Sequence, residues 1–502
     1  MKKMLACFLC ALMLLGVLSG CGGSGKEEAV TAPKYIFLFI GDGMSYPQIQ
    51  ATADYLGALQ DEDYFQAQPS IMNNNGATLD GPEYLNFMNF EVAGSAVNYD
   101  ANSFAPDSSA SATAIATGNK TYSAMINTDV TGKETFETIA QKAHEQLGYK
   151  IGLITTANPN HATPAAFYAH QINRNNFYEI GLELPESGFE YFAGGGFYMD
   201  KGTGNNKESL YDVASAAGYT VARTAEEAAA VSAESGKVIL VNETLADSES
   251  MPYEIDREEG AWTLADYVKK GIEVLDNEKG FFMMCEGGKI DWACHANDAA
   301  TVIHETIALS EAVQVAIDFA AEHPEETLII VTGDHETGGM SIGFAGTEYD
   351  TYLTLLENQK ISFKQFDEQY IESYRENGTS FEDALADFEA LFGLKIQGEK
   401  GDKLVLTEYE LGELRVAYEK SVNGVDTGMS EQEEDVAYGS YEPLSVELTR
   451  TLNHKAGIGF TSFVHTGLPV AVFADGLNSE MFVGYYDNTE IFYNLAEMLH
   501  VA

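Results

Sequence analysis

The sequence predicts an α/β protein, with a three-layer α/β/α arrangement around a large, mostly parallel central sheet. The 502 residues are enough for a large hydrophobic core. Short apolar runs alternate with helical stretches, which is typical of parallel strands joined by helices. Glycines or acidic residues follow several of these runs. The clearest strands are predicted at residues 35–40, 151–154, 238–241, 281–284, 328–331 and 470–473.

The first 33 residues are predicted to lie outside this core. Met1-Lys2-Lys3 precedes an apolar stretch, residues 5–17, which is too short for a transmembrane helix and typical of an export signal. The segment Leu18-Ser19-Gly20-Cys21 resembles a bacterial lipobox, in which Cys21 is lipidated after cleavage of residues 1–20; an ordinary cleaved signal is the alternative. Residues 22–33 are predicted to be a flexible tether. We therefore expect an exported lipoprotein, anchored by Cys21 on the extracytoplasmic side, in the periplasm or at the cell surface.

Acidic residues follow three predicted strands. Asp42 follows the first strand in Gly41-Asp42-Gly43, Glu286 follows the fourth, and Asp334-His335 follows the fifth. Alone, the Gly-Asp-Gly segment is equally typical of a turn with an Asx hydrogen bond. Open α/β sheets place their sites at the carboxyl ends of strands, so the three segments are expected to converge.

A run of small residues from Asp107 to Ala114 predicts the first turns of a helix, with Ser108 near its N-terminus. A helix N-terminus favours anions such as phosphate. Further along, Asp291 and His295 are one helical turn apart and share a face, a spacing that suits zinc. The alternative for that pair is a surface ion pair. His465 precedes the last predicted strand, and a lone histidine there is more often structural than a ligand.

The net charge of −49 disfavours nucleic acid and anionic lipid as partners. It would also repel a phosphate ester unless cations occupied the site. Cys285 and Cys294 are the cysteines outside the signal and lipobox; two buried thiols are expected, with a bridge as the alternative. Residues 345–455 are rich in acids and tyrosine and predict an insertion beside the core, before the last core segment. Within it, Thr407-x-x-Glu410 has capping-box spacing, and the acidic run 431–435 predicts a solvated loop.

Together these segments resemble the alkaline phosphatase family, over residues 34–344 and 456–502. The resemblance implies that the insertion at residues 345–455 is of crown-like or entrance-covering type. The resemblance implies hydrolysis of small phosphomonoesters through a phosphoserine, with two Zn²⁺ and one Mg²⁺, and is compatible with a homodimer. It implies Ser108 as nucleophile, Arg174 as phosphate clamp and Asp107 as the residue that orients Arg174. The implied ligands are Asp42, Asp334 and His335 for one zinc, Asp291, His295 and His465 for the other, and Asp42, Thr163 and Glu286 for magnesium.

Two residues depart from the best-known family pattern. His161 and Trp292 stand where some members carry an acid and a lysine near the third metal and the phosphate. Trp292 supplies no positive charge, so the water-mediated phosphate contact is expected to differ. His161 is expected to bind the third metal directly or through water, which would make that site more tolerant of zinc or cobalt.

Three alternative functions fit the sequence less well. A superfamily phosphodiesterase would have no use for Arg174 and the third ligand set. A sulfatase needs a proline two residues after its nucleophile, and Ser108 is followed there by Ala110. A non-catalytic, metal-binding surface lipoprotein is disfavoured because every residue that the resemblance implies is present.

Overall fold

The computed structural model describes residues 31–71 and 76–502, and its central feature is a ten-stranded sheet. The signal, Cys21 and most of the predicted tether lie outside the described residues. The strands of the sheet are β1 Tyr35–Gly41, β2 Val92–Val97, β3 Lys150–Thr155, β4 Tyr191–Gly194, β5 Thr220–Ala222, β6 Val238–Val241, β7 Phe281–Gly287, β8 Thr327–Gly333, β13 Val470–Gly476 and β14 Gly484–Asp487. They lie in the order β14-β2-β13-β8-β1-β7-β3-β4-β6-β5. Two small ribbons pair β9 Glu336–Thr337 with β12 His465–Thr466 and β10 Ser341–Ile342 with β11 Ile458–Gly459.

The three strands β7, β1 and β8 form the middle of the sheet. All three are parallel, and every residue in them is buried. Strands that are covered on both faces are apolar along their whole length, which is why these runs stand out in the sequence. In register, Gly41 pairs with Gly287 and with Gly333, so the three strands end side by side. The prediction of an α/β fold with a large, mostly parallel sheet is confirmed.

The helices flank this sheet. They are α1 Tyr46–Gln60, α2 Ser108–Thr117, α3 Ile139–Lys142, α4 Ala162–Ala165, α5 Phe177–Ser187, α6 Leu210–Ala216, α7 Ala225–Ala230, α8 Leu264–Leu275, α9 Lys289–His295, α10 Ala299–Glu322, α11 Phe363–Phe366, α12 Glu372–Asn377, α13 Phe381–Phe392, α14 Glu408–Asn423, α15 Glu431–Tyr438, α16 Pro443–Ala456 and α17 Thr489–Leu499. Among the described residues, no helix has both the length and the apolar character needed to cross a bilayer.

The strand predicted at residues 470–473 is present as β13, and it is antiparallel to both its neighbours. Two details of the sequence prediction are wrong. A further strand, β14, follows the strand that was predicted to be the last. The acidic run 431–435 lies in helix α15 rather than in a loop, because Ser430 and Glu433 form a capping box at its start. The capping box predicted at Thr407 and Glu410 is present at the start of α14.

Residues 33–502 form one compact unit. Within it, the segment 345–455 is mainly helical and is fixed to the loop between α9 and α10. Asp298 caps α10 through Thr301 N, at 3.1 Å, and also accepts hydrogen bonds from Gln359 Nε2 at 2.7 Å and from Phe363 N at 3.0 Å. Cys285 and Cys294 are both free and buried.

Candidate active site

Ser108 is the first residue of helix α2, which lies beside the ends of the central strands. All ten residues of this helix are buried, and their small side chains allow the close approach. Asp107 is the N-cap, and its Oδ1 accepts a hydrogen bond from Ala110 N at 3.0 Å. The Ser108 side chain is 1% exposed, and its Oγ lies 3.1 Å from His335 Nε2. The structure thus places a buried hydroxyl at a helix N-terminus, as the sequence predicted.

Arg174 comes to Ser108 from a different part of the chain. Its Nη1 donates to Asp107 Oδ2 at 3.0 Å, and its Nη2 lies 3.1 Å from His161 Nε2. Burial would raise the pKa of Asp107, but the Arg174 guanidinium holds it below its usual value. Ser109 Oγ donates to the same Asp107 oxygen at 2.6 Å. Asp107 therefore both caps the helix and orients the guanidinium of Arg174.

Carboxylates from three neighbouring strand ends converge behind Ser108. Asp42 Oδ1 lies 3.3 Å and Asp334 Oδ2 3.5 Å from His335 Nε2. Thr163 Oγ1 donates to Asp42 Oδ2 at 3.4 Å, and Thr155 Oγ1 donates to Glu286 Oε2. The backbone beside Asp42 packs closely against Asp291, and this packing requires glycine at position 43. Gly43 has φ +70°, and a Cβ there would lie only 2.9 Å from Asp291 Cα.

A second group of ligand-type side chains lies beside the first. His295 Nε2 is 3.4 Å from Asp291 Oδ2 and 3.1 Å from His465 Nε2. The other ring nitrogen of each histidine faces a backbone carbonyl, Phe463 O at 2.5 Å from His295 Nδ1 and Pro106 O at 2.6 Å from His465 Nδ1. Such contacts fix the ring orientation and direct both Nε2 atoms towards Asp291. His465, which alone was unremarkable in sequence, belongs to this group.

The pKa values reflect this crowding of buried charge. Burial and the neighbouring carboxylates raise the pKa of Asp42 and of Asp334 well above the usual range, and burial raises that of Glu286 to about 7. Burial and the Arg174 guanidinium lower the pKa of His161 to about 3. These carboxylates therefore lie where a nearby cation would stabilise their charged form.

The residues present fit metal ions. Several buried oxygens and one ring nitrogen make no hydrogen bond within the described chain: Asp42 Oδ1, Glu286 Oε1, Asp334 Oδ2 and His161 Nδ1. Each of three ligand groups has its donor atoms within 4.8 Å of one another; the groups are Asp291, His335 and His465; Asp42, Asp334 and His335; and Asp42, His161 and Glu286. Nitrogen and oxygen donors in such sets suit zinc, and oxygen donors suit magnesium.

An open cavity of about 500 Å³ leads to these groups. Ser108, Arg174 and His465 line its base, and Trp292 lies on its wall, 5.9 Å from the His161 ring. The structure thus brings together every site residue that the sequence analysis named. It adds Thr337, which the sequence analysis missed although it directly follows the Asp334-His335-Glu336 segment: its Oγ1 donates to Asp291 Oδ1 at 2.5 Å and lies 3.3 Å from His335 Nδ1.

Comparison with known proteins gives consistent results. The family model described as alkaline phosphatase matches residues 33–194 and 188–501. Alkaline phosphatase 4 of Bacillus subtilis (strain 168) is 28% identical over 505 residues, which cover 97% of this chain and 95% of that protein.

Solved structures share the fold. The crystal structure of a cold-active alkaline phosphatase from Shewanella sp. is 29% identical, has a TM-score of 0.72 and covers 93% of this chain and 99% of its own. The alkaline phosphatase of the Antarctic bacterium TAB5, in a histidine-to-glutamate variant with Mg bound in the M3 site, is 23% identical. Its TM-score is 0.61, and the match covers 94% of this chain and 99% of that one.

Proposed function

The chain belongs to the alkaline phosphatase family, and from this premise we propose that it hydrolyses phosphate monoesters through a phosphoserine formed on Ser108. The observation that carries the proposal is the position of Ser108 Oγ. It lies at the N-terminus of α2, 3.1 Å from His335 Nε2, in front of three buried carboxylates, Asp42, Glu286 and Asp334, each of which has one oxygen without a hydrogen bond among the described residues. A nucleophile, an anion-binding helix end and a metal-ligand cluster thus meet at one point.

The ligand groups described above are the proposed metal sites, with His295 completing the set around Asp291 and His465. Two Zn²⁺ are proposed for the sites nearest Ser108, and Mg²⁺ for the site of Asp42, Thr163 and Glu286. When bound, these ions supply the positive charge that lowers the pKa of a serine hydroxyl and of water and that stabilises phosphoryl oxygens.

The chain's own residues account for binding and orientation. The Ser108 hydroxyl gives up its proton and its Oγ forms the bond to phosphorus, while the ester oxygen leaves with its bonding pair and takes up a proton. A water molecule then loses a proton and attacks phosphorus, the bond to Ser108 breaks, Oγ takes up a proton, and inorganic phosphate is released. Arg174, held by Asp107, donates hydrogen bonds to phosphoryl oxygens, and the first amides of α2 point towards the same group.

For the third site we propose that magnesium is bound less selectively than at an all-oxygen site, so that zinc or cobalt is also accepted. His161 belongs to the ligand group with Asp42 and Glu286, and an imidazole nitrogen is a better ligand for zinc and cobalt than for magnesium. The substitution His161→Asp should increase bound magnesium and reduce bound cobalt, as measured by elemental analysis. An unchanged metal content would contradict this preference.

We also propose that the protein is exported and anchored through a lipid on Cys21. The support is the signal-like and lipobox-like segment of residues 1–21. Expression of the full chain and of Cys21→Ser, followed by membrane fractionation, tests this proposal. The unaltered chain should sediment with membranes and the variant should not; the same distribution for both would refute the anchor. From the family resemblance we also propose a homodimer; sedimentation analysis of the exported protein should give the mass of two chains, and the mass of one chain would contradict it.

The activity is tested with p-nitrophenyl phosphate and its bis-ester. The purified chain should hydrolyse the monoester far faster than the diester and should lose activity with a chelator. Ser108→Ala should lose at least about 1,000-fold in kcat, whereas Ser109→Ala, the matched neighbour, should lose much less. Preference for the diester, or an Ser108→Ala variant as active as the wild type, would contradict the proposed function.

A further inference from the structure

The cavity in front of Ser108 has aromatic walls from two different parts of the chain. Tyr253 and Trp292 line it from the core, whereas Phe363 and Tyr441 line it from the segment 345–455. The centroid of the Phe363 ring is 5.7 Å from that of Tyr253, at an interplanar angle of 61°, and 5.7 Å from that of Tyr441, at 79°. These are edge-to-face contacts within the favourable range, so the three rings form one connected wall.

The rings on the core side are fixed by Lys289. This lysine is fully buried, and its Nζ donates to Asp247 Oδ1 at 3.0 Å and to Ser250 Oγ at 2.8 Å. The same Nζ lies 3.8 Å from the centroid of Tyr253 and 4.6 Å from that of Trp292. Cation–π contact holds the two rings against one buried cation.

Phe363, which belongs to the segment 345–455, is also held in place. Phe363 is 5% exposed, and its backbone N donates to the buried Asp298 at 3.0 Å. Asp298 lies three residues after His295, so the loop that follows the proposed metal site also positions this ring. A subsite whose side chains are already ordered costs less conformational entropy when a ligand binds.

Three charged side chains that line the cavity are each paired with an ion of opposite charge. Asp247 pairs with Lys289, Glu442 with Arg375 at 2.9 Å, and Lys364 with Glu368 at 3.2 Å. By contrast, two polar groups of the lining, the Tyr253 hydroxyl and Asp367 Oδ1, are buried and make no hydrogen bond within the described residues. The wall therefore combines neutral rings with a few polar groups, which fits a planar ligand with a polar edge.

We propose that Tyr253, Trp292, Phe363 and Tyr441 form a subsite for an aromatic leaving group, so that the preferred substrates are phosphomonoesters of planar aromatic alcohols or nucleosides. This inference rests on the proposed function, because the subsite acts on the ester held at Ser108. The leaving group lies against the rings while the phosphoryl group contacts Arg174. Stacking then favours esters whose leaving group carries an aromatic ring over esters in which that ring is saturated or absent.

Two matched substrate pairs test the subsite. Benzyl phosphate is compared with cyclohexylmethyl phosphate, and adenosine 5′-monophosphate with ribose 5-phosphate; within each pair the leaving oxygen is on a primary carbon. The wild-type enzyme should prefer the aromatic member of at least one pair by roughly 3- to 10-fold in kcat/KM, the range expected for one aromatic contact. A preference in the first pair alone identifies an aryl ligand, and one in the second pair alone identifies a nucleobase.

Variants distinguish a loss of stacking from a general loss of activity. Tyr441→Leu should bring the kcat/KM ratio of the aromatic to the non-aromatic ester close to one, and Tyr441→Phe should retain the wild-type ratio. Trp292→Leu tests the ring contributed by Trp292 in the same way. Tyr409→Leu, an exposed tyrosine in the same segment, is the control and should change nothing. The ratio is taken within one preparation, so a smaller folded fraction does not alter it.

The two proposals fail in different ways. Hydrolysis of all four esters at equal rates would overturn the subsite and leave the proposed function intact. Hydrolysis of none of them would overturn the proposed function itself.

Discussion

Asp107 has two roles at one position. One carboxylate oxygen caps helix α2 and the other holds Arg174 and Ser109. Asp107 therefore both caps the helix and orients the Arg174 guanidinium beside the first turn, where Ser108 lies. A loss of charge at Asp107 should thus affect phosphate binding before it affects folding.

The first prediction concerns this pair. Arg174→Ala should lower kcat/KM about 10- to 100-fold, because a hydrogen bond to a charged group contributes about 1.5–3 kcal/mol. Asp107→Asn, which keeps a good N-cap residue, should cause a smaller loss and weaken inhibition by inorganic phosphate. Steady-state kinetics with phosphate as inhibitor measures both effects.

Ser109→Ala is the control for these variants, since it removes the other hydrogen bond to the same oxygen of Asp107. It should leave phosphate inhibition close to that of the wild type. If Arg174→Ala bound phosphate as tightly as the wild type, Arg174 would not be the phosphate clamp.

The second prediction concerns pH and a residue outside the site. Burial raises the pKa of Glu305, on α10, to about 8, against a usual value of 4.5. The folded chain then retains a proton that the unfolded chain has released, so the contribution of Glu305 to the free energy of unfolding falls as the pH rises from about 5 to about 8.

Glu305→Gln should remove this contribution, because the amide does not ionise and can still accept the hydrogen bond from Glu254 N. The variant should gain stability over the wild type as the pH rises, by up to ~1.4 kcal/mol for each pH unit in that window. Urea denaturation at several pH values measures the difference. The exposed Glu311→Gln on the same helix is the control; equal pH slopes for Glu305→Gln and the wild type would contradict the prediction.

At the scale of elements, the sequence predicted best where burial is complete. Strands β1, β7 and β8 are apolar throughout because helices cover both faces, and the acids that follow them converge because the strands end in register. Strand β14 was missed because it is short and partly exposed, so it lacks a continuous apolar run. The helix at 431–438 was missed because local capping by Ser430 outweighs the repulsion within the acidic run.

The candidate site, too, contains residues that could be predicted from the sequence and residues that could not. Ligand residues next to strand ends could be predicted from the chain, because the topology fixes where strand ends meet. The aromatic wall could not, because Tyr253, Phe363 and Tyr441 are distant in sequence and meet only through the packing of the segment 345–455.

The third prediction concerns the loop that joins the core to this segment. Asp298 is buried, caps α10 and accepts hydrogen bonds from Gln359 and Phe363. Asp298→Ala should lower the free energy of unfolding by about 2–4 kcal/mol, more than a cap alone, because buried donors lose their acceptor. Ser380→Ala, a cap at the exposed start of α13, should cost about 1 kcal/mol. Equal losses in denaturant titrations would show that the Asp298 contacts beyond the cap contribute nothing.

At the scale of the whole molecule, negative charge would repel a phosphate ester. The net charge is −49, and the candidate site itself is rich in buried carboxylates. A phosphate ester approaches such a surface only if cations are concentrated at the site. The proposed metal ions would therefore link substrate binding to the stability of the fold.

The fourth prediction follows from this link. Removal of metal by dialysis against a chelator should lower the melting temperature by several degrees, and zinc should restore it, since a ligand that binds the folded state alone stabilises it. Asp42→Asn should be less destabilised than the wild type in metal-free buffer, because one repelling carboxylate is lost, and should respond less to zinc. A melting temperature that is indifferent to chelator and zinc would contradict the proposed metal sites.

The most direct test of the account is to trap the phosphorylated enzyme. The holoenzyme is mixed with a ³²P-labelled phosphomonoester, quenched in acid within the first turnover and digested for peptide mapping. The account predicts label on Ser108, none in Ser108→Ala, and label retained in Ser109→Ala. Turnover of the ester with no labelled protein, or with label on another residue, would contradict a phosphoserine at Ser108.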